Sequence, residues 1–339
     1  DILASNPIAA LQYSITEGYP LLREQLTAQM AEKASFSQND DIIITSGAQQ
    51  VMDLLSKAIV NEGDAVICEA PSFIGSLNTF RSYNANLVGV PLEDDGISIE
   101  HLENALKTTK NVKMIYTIPN FQNPAGVTMS LPKRKAVYEL AKKYGVIILE
   151  DNPYGDLYYT EEPPANIKTL DTEGIVVYAG TFSKVISPGM RVGYAVGPKA
   201  ILQKMTVCKQ GQDVHTNIWA QIVCSRFLAD YDYNGHLEFL RGLYAKKAKA
   251  TQSLMDDNLA AKGVKCSKIN GGLFAWCDLP KNINMPDFVK AAVEQKVCVV
   301  PGNAFLTNEN DPCNAFRINF TTPTDAQVKQ GLEILGGLI

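Results

Sequence analysis

Between about residues 41 and 197, short apolar runs alternate with segments whose apolar residues recur at helical spacing. The runs at 42–44, 65–68, 87–90, 112–117, 146–150 and 175–179 lack the polar alternation of a half-wetted strand. They predict strands buried on both faces. Segments 48–60, 99–107 and 131–144 carry the helical period between them. The last has Pro132 in its first turn and Gly145 just past its end, as helix boundaries favour. Such alternation predicts an α/β fold with a mostly parallel sheet covered by helices on both faces. After Pro198 the pattern changes. A mainly helical stretch, about 200–260, leads to a smaller α+β segment with strands near 272–277, 297–300 and 316–320. A last helix is expected over about 325–335. The expected organisation is an N-terminal segment (1–35), a large α/β domain (36–235) and a small C-terminal α+β domain (236–339).

Composition narrows the function. The 339 residues carry 31 Lys and Arg against 36 Asp and Glu, a net charge of −5. A chain without surplus cations has little to neutralise phosphates with, so nucleic acid is not an expected partner. No apolar run approaches the ~18 residues of a membrane span. Seven cysteines, an odd number without a CxxC pair, point to reduced thiols and a cytoplasmic setting. His101, His215 and His236 lie far apart in sequence, so a histidine metal cluster is not expected. The chain begins at Asp1, and its first ten residues lack a basic stretch. They read as the remainder of a longer N-terminus and not as a signal peptide.

Four features fall at the C-terminal ends of expected strands, where open α/β sheets place their ligands. They are Ser46-Gly47-Ala48-Gln49, the segment from Asn120 through Asn123-Pro124-Ala125-Gly126, Asp151-Asn152-Pro153-Tyr154, and Thr181-Phe182-Ser183-Lys184 with Arg191 seven positions on. Singly each has an ordinary reading. A glycine at a strand–helix junction marks a turn, Asn-Pro is a turn dipeptide, and a lone lysine is usually a surface residue. Asp151 by itself could cap the turn after its strand.

Taken in this order, Asn123-Pro-Ala-Gly, Asp151-x-x-Tyr154 and Ser183-Lys184 with Arg191 resemble the fold-type-I, class I/II aminotransferases that use pyridoxal phosphate. Within them the chain is most similar to the branch containing 2-aminoadipate and kynurenine aminotransferases, and the resemblance runs over about residues 11–320. It implies an aspartate aminotransferase-like fold with a seven-stranded large sheet. It also implies transfer of an amino group from an amino acid to a 2-oxo acid, with 2-oxoglutarate as acceptor, by a ping-pong mechanism. Lys184 would join the cofactor aldehyde covalently and then move the substrate's Cα proton. Asp151 would face the pyridine nitrogen. A carboxylate ~4 Å away is worth ~4 kcal/mol at an effective dielectric of about 20, or about three pKa units.

The resemblance implies that Tyr154 and Asn123 bond the ring's phenolic oxygen and that Phe73 stacks on the ring. Gly47, Ala48 and Gln49 would offer helix N-terminal N–H groups to the phosphate, completed by Thr181, Ser183 and Arg191. Arg317, a charge inside an apolar strand, would clamp the substrate α-carboxylate together with Asn123; otherwise it would need an interdomain salt bridge. Tyr13 would reach across a twofold axis to the partner's phosphate, giving a homodimer with shared sites. The chain departs from the family at Ala48, where a Ser or Thr is common, and the resemblance implies that a further N-terminal segment, ahead of residue 1, would gate the site. Two other readings carry the same motifs: the effector domain of a MocR-type transcription regulator, and a β-lyase on the same fold. Regulator domains typically carry a His in the stretch that here reads Phe121-Gln122-Asn123-Pro124, so Asn123 favours the enzyme.

Overall fold

A computed structural model describes residues 1–339. The large sheet holds β1 (Asp40–Thr45), β2 (Ala65–Ala70), β3 (Asn86–Glu93), β4 (Gly96–Ile97), β5 (Val112–Thr117), β6 (Ile147–Asp151), β7 (Val176–Thr181) and β8 (Gly193–Pro198). Its spatial order is β1-β8-β7-β6-β5-β2-β3-β4. The pairs β3–β2, β2–β5, β5–β6 and β6–β7 are parallel. β8 runs antiparallel to both β7 and β1, so β1 points the same way as the parallel strands. Seven long strands are present as expected. The two-residue β4 adds an eighth by hairpin pairing with β3.

Apolar periodicity alone did not mark β8, because it carries Gly193 and Gly197 in a six-residue run. Gly193 is there for space: a Cβ would lie 2.6 Å from the Gly47 carbonyl carbon and 2.7 Å from the Ala48 nitrogen. Alternate strand residues enter different cores. Val66 and Cys68 of β2 join Leu54, Leu55 and Leu22 on one face, while Ile67 joins Leu102 and Val137 on the other. That double burial explains the unbroken apolar runs.

A second sheet holds β9 (Lys265–Cys266), β10 (Phe274–Asp278), β11 (Val300–Pro301) and β12 (Ala315–Asn319), all antiparallel, in the order β11-β12-β10-β9. Its own core gathers Ala275, Cys277, Phe288, Phe316 and Leu335. The helix Tyr233–Asn258 passes through the expected boundary at 235/236 and carries the chain from one sheet to the other. The helices Pro7–Leu11 and Pro20–Glu32 pack on the helix Ile218–Asp230, the second also on β1, so the N-terminal residues side with the large sheet. No helix is long and apolar enough to cross a membrane.

Candidate active site

Because β1, β2, β5, β6 and β7 share one direction, their C-terminal ends open on a single edge of the sheet. A cavity of about 320 Å³ lies there. Of the residues expected at a site, all but Gly47 and Tyr13 line it. Gly47 stands directly behind, as the residue before the helix Ala48–Ile59. Tyr13 is elsewhere: it is exposed and meets His215 edge-on at 5.9 Å between ring centroids.

Asp151 ends β6 at the floor, 3% exposed. Its Oδ2 accepts a hydrogen bond from the Tyr116 hydroxyl at 2.8 Å, which itself accepts from Ser76 Oγ at 2.8 Å. Its Oδ1 is buried with no partner. Burial pushes the carboxyl up to about 7, against the lowering influence of Tyr116 and of the Lys184 charge. The turn-capping alternative belongs to the neighbouring Asn152, whose Oδ1 accepts from the Gly155 N–H at 3.0 Å. Asp151 is thus a buried carboxylate oxygen aimed at a cavity and left unpaired, the kind of group that requires an explanation.

Lys184 follows β7 and its ammonium makes no hydrogen bond or salt bridge in the chain. Burial depresses its pKa first, Arg191 and Arg317 add to the depression, and Asp151 opposes it. A lysine so placed is readily deprotonated.

One end of the cavity is built for an anion. The Gly47 N–H turns back to the Thr45 carbonyl at 2.8 Å, so it is committed to the turn. The Ala48 and Gln49 N–H groups have no partner and head the helix, leaving donors for an anion. The Gln49 side chain is likewise committed, donating to the Gly75 carbonyl at 2.9 Å and to Thr79 Oγ1 at 2.6 Å. Thr181 Oγ1 donates to Ser183 Oγ at 3.0 Å, and Arg191 Nη1 reaches the same oxygen at 3.3 Å. Arg191 Nη2 donates to the Ser46 carbonyl at 3.2 Å. Gly47, at φ +78°, makes this approach possible, because a Cβ there would stand 2.3 Å from Arg191 Nη2. No carboxylate pairs with Arg191.

The other end is organised by Arg317. Its Nη1 donates to Asn123 Oδ1 at 2.8 Å, and its guanidinium lies over the Phe274 ring at 4.0 Å and the Phe305 ring at 5.0 Å. Its Nε is buried without a partner. It makes no salt bridge, so the interdomain ion pair considered for it is not what holds it. Burial raises the pKa of the Tyr154 hydroxyl well above the ordinary phenol range, against the lowering influence of Asn123. Phe73, half-buried, precedes the helix Ile74–Ser82 and borders the cavity.

Sequence reasoning missed several members. Tyr116, in β5, holds Asp151, and Ser76, in the helix Ile74–Ser82, holds the Tyr116 hydroxyl; the signal for Tyr116 was a hydroxyl inside a largely apolar strand. Phe274 and Phe305 carry Arg317 but sit in strands and turns with no distinguishing spacing. Buried Glu69 accepts hydrogen bonds from Thr117 Oγ1 and from Gln122 Nε2, the latter at 2.9 Å. Gln122 also donates to the Pro71 carbonyl at 2.8 Å and accepts from the Ala125 N–H at 2.8 Å, which fixes the loop bearing Asn123. A larger groove of about 590 Å³ lies beside the last helix, but no acidic residue lines it.

Three unpaired cations, one orphaned buried carboxylate oxygen and a helix N-terminus around one cavity fit pyridoxal phosphate: a cationic ring nitrogen for Asp151, a phosphate for the helix end. Comparison with known proteins agrees. The family described as Aminotransferase class I and II matches residues 6–335. Aromatic-amino-acid aminotransferase 1 of Thermococcus litoralis is 38% identical over 348 residues, spanning 100% of this chain and 82% of that protein. The 2-aminoadipate transaminase of Thermus thermophilus is 34% identical, spanning 99% of this chain and 83% of that protein. Among solved structures, a Pyrococcus horikoshii kynurenine aminotransferase superposes with a TM-score of 0.96 at 39% identity, covering 99% of this chain and 84% of the other.

Proposed function

This chain belongs to the class I and II aminotransferases, amino-acid transaminases that use pyridoxal phosphate, and we propose that it runs a ping-pong pair of half-reactions in which 2-oxoglutarate accepts the amine. The observation that carries the residue assignment is Asp151 Oδ1, buried and unpaired at the floor of a cavity that holds three cations without carboxylate partners. The donor class follows the relatives: an amino acid with an aromatic, kynurenine-like or 2-aminoadipate-like side chain. A C2 dimer is the working unit in this reading, and Tyr13 serves the partner's site. The exposure of Tyr13 together with Ile8, Leu11, Ile15 and Val214 supports it. The domain division at 1–35, 36–235 and 236–339 and a cytoplasmic setting are part of the same reading.

When bound, pyridoxal phosphate supplies an aldehyde for the donor's amine and a ring that accepts the electron pair left at Cα. The protein's residues do the rest. The Ala48 and Gln49 N–H groups, Thr181, Ser183 and Arg191 would hold the phosphate, and Gly47 keeps Arg191 close to that helix end. Asp151, oriented by Tyr116 and through it by Ser76, would hold the proton on the ring nitrogen, with its unpaired Oδ1 placed for that charge. Phe73 would cover the ring face, and Tyr154 and Asn123 would bond the phenolic oxygen. Arg317, held flat by Phe274 and Phe305 and oriented by Asn123, pairs with the substrate α-carboxylate. Lys184 Nζ, with its depressed pKa, takes the Cα proton and returns it elsewhere. Reductive trapping with borohydride tests the assignment: the cofactor should be attached to the peptide containing Lys184. Attachment to another lysine would overturn it.

A further inference from the structure

All seven cysteines are free thiols, but the fold sets two of them against each other. Antiparallel pairing of β9 with β10 places Cys266 opposite Cys277 and Lys265 opposite Asp278. The next opposed residues are Ser267 and Trp276, where the Ser267 N–H donates to the Trp276 carbonyl at 2.8 Å. Hydrogen-bonded and non-hydrogen-bonded pairs alternate along an antiparallel ladder, so Cys266 and Cys277 form a non-hydrogen-bonded pair. In such pairs opposite Cα atoms approach to about 4.5 Å with their side chains on the same face. That spacing falls within the roughly 4.4–6.8 Å range of a disulfide. The Cys266 Sγ itself lies 4.0 Å from the Val264 carbonyl, two residues back in its own chain segment.

We propose that Cys266 and Cys277 are an oxidisable cross-strand dithiol, which peroxide converts into a reversible disulfide stapling the edge strand β9 to β10. The two sulfurs differ in a way that assigns their roles. Cys266 is partly exposed and Cys277 fully buried. The neighbouring Cys277 side chain holds the Cys266 thiol below its ordinary range, whereas Cys266 and burial together raise Cys277. Cys266 is therefore the attacking sulfur. Its thiolate forms an S–O bond to one peroxide oxygen as the O–O bond breaks, and the hydroxide released is protonated to water. The Cys277 sulfur then attacks the sulfenic acid; the S–S bond forms, the S–O bond breaks, and a second water leaves with the Cys277 proton. Two thiols are oxidised by two electrons and one peroxide is reduced to two waters.

The staple lies outside the catalytic cavity. Cys277 points with Ala275 into the core of the small sheet, while Phe274, on the opposite face of β10, carries Arg317. Its effect is on β9, a two-residue edge strand of the kind most prone to open and pair elsewhere. The test is peroxide treatment of the holoenzyme, followed by non-reducing peptide mapping and amide hydrogen exchange. The expected result is a peptide cross-linked between Cys266 and Cys277, slower exchange at Ser267, and reversal of both by dithiothreitol. Cys266→Ser and Cys277→Ser should each abolish the cross-link, and Cys298→Ser, which removes the exposed competitor, should leave it. Oxidation of Cys298 with Cys266 and Cys277 still reduced, or Cys266 carried to sulfinic acid without a cross-link, would overturn the proposal. Unchanged exchange at Ser267 in the cross-linked protein would overturn its role as a staple.

Discussion

Asp151→Asn keeps the shape of the side chain and removes its charge, and two opposite effects should follow. Burial raises the Asp151 carboxyl from 3.8 to about 7 in the chain alone. At 1.36 kcal/mol per unit, ionising it there costs about 4 kcal/mol. A carboxyl whose folded pKa exceeds its unfolded value binds the extra proton in the folded state. Its contribution to stability therefore falls as pH rises from about 4 to about 7, and it is least favourable above that window. Without cofactor, the substitution would remove this cost but leave a buried amide unpaired at about 1–3 kcal/mol. The variant should thus be more stable than the wild type by roughly 1–3 kcal/mol near pH 8. That advantage should reverse toward pH 4, where the wild-type carboxyl is neutral. With cofactor the sign changes, because the charge that burial opposes is the one the ring nitrogen needs. Losing about 4 kcal/mol of pairing in the transition state lowers kcat about a thousandfold. Steady-state kinetics of the holoenzyme and denaturant unfolding of the cofactor-free chain at both pH values read the two effects. A kcat loss under about tenfold, or a variant less stable near pH 8, would refute the reasoning.

Three further outcomes are expected. Lys184→Ala should abolish transamination while leaving the melting temperature near the wild-type value, and the wild-type rate should show a limb rising with pH below the ordinary lysine range; near-normal turnover in the variant would remove Lys184 from the chemistry. Arg317→Gln should raise KM for both amino and oxo acids about ten- to a hundredfold, the worth of a charge-assisted contact of ~1.5–3 kcal/mol, and an unchanged KM would show that the α-carboxylate binds elsewhere. Tyr13→Phe should weaken cofactor retention on dialysis by roughly ten- to a hundredfold in a chain whose light-scattering mass is that of a dimer; a monomer keeping cofactor and activity would contradict the shared site.

How much was legible in advance depended on where the physics was local. Strands β2, β5 and β6 are buried on both faces and announced themselves as apolar runs, interrupted in β5 by Lys113 near its start. The helix 131–144 has the same ends in sequence and structure, because Pro132 and the left-handed Gly145 fix them. β8 escaped notice because its glycines answer to neighbours far apart in sequence, Gly193 to Gly47 and Ala48, Gly197 to Val176 and Val177. The same holds inside the site. Arg317 stood out as a charge where charge is costly, and Asp151 and Lys184 through the order of their motifs, but Tyr116, Phe274 and Phe305 are ordinary core residues until the fold sets them beside a charge. Gly47 shows a finer limit: its place before a helix was readable, but not that its N–H is committed to Thr45. The pairing of Cys266 with Cys277 was equally invisible, since it depends on the register of two strands and not on a motif.

The central claim is that this cavity carries out both halves of an amino transfer. The most direct measurement follows the absorbance of the bound cofactor as single amino acids are added, then as 2-oxoglutarate is added to the same sample. Conversion to the pyridoxamine form by an aromatic, kynurenine-like or 2-aminoadipate-like donor, and full return on addition of 2-oxoglutarate with glutamate released, is the predicted result. A cofactor that binds but does not change with any donor, as an effector domain would behave, or one that yields ammonia and a cleaved side chain, as a β-lyase would, contradicts it.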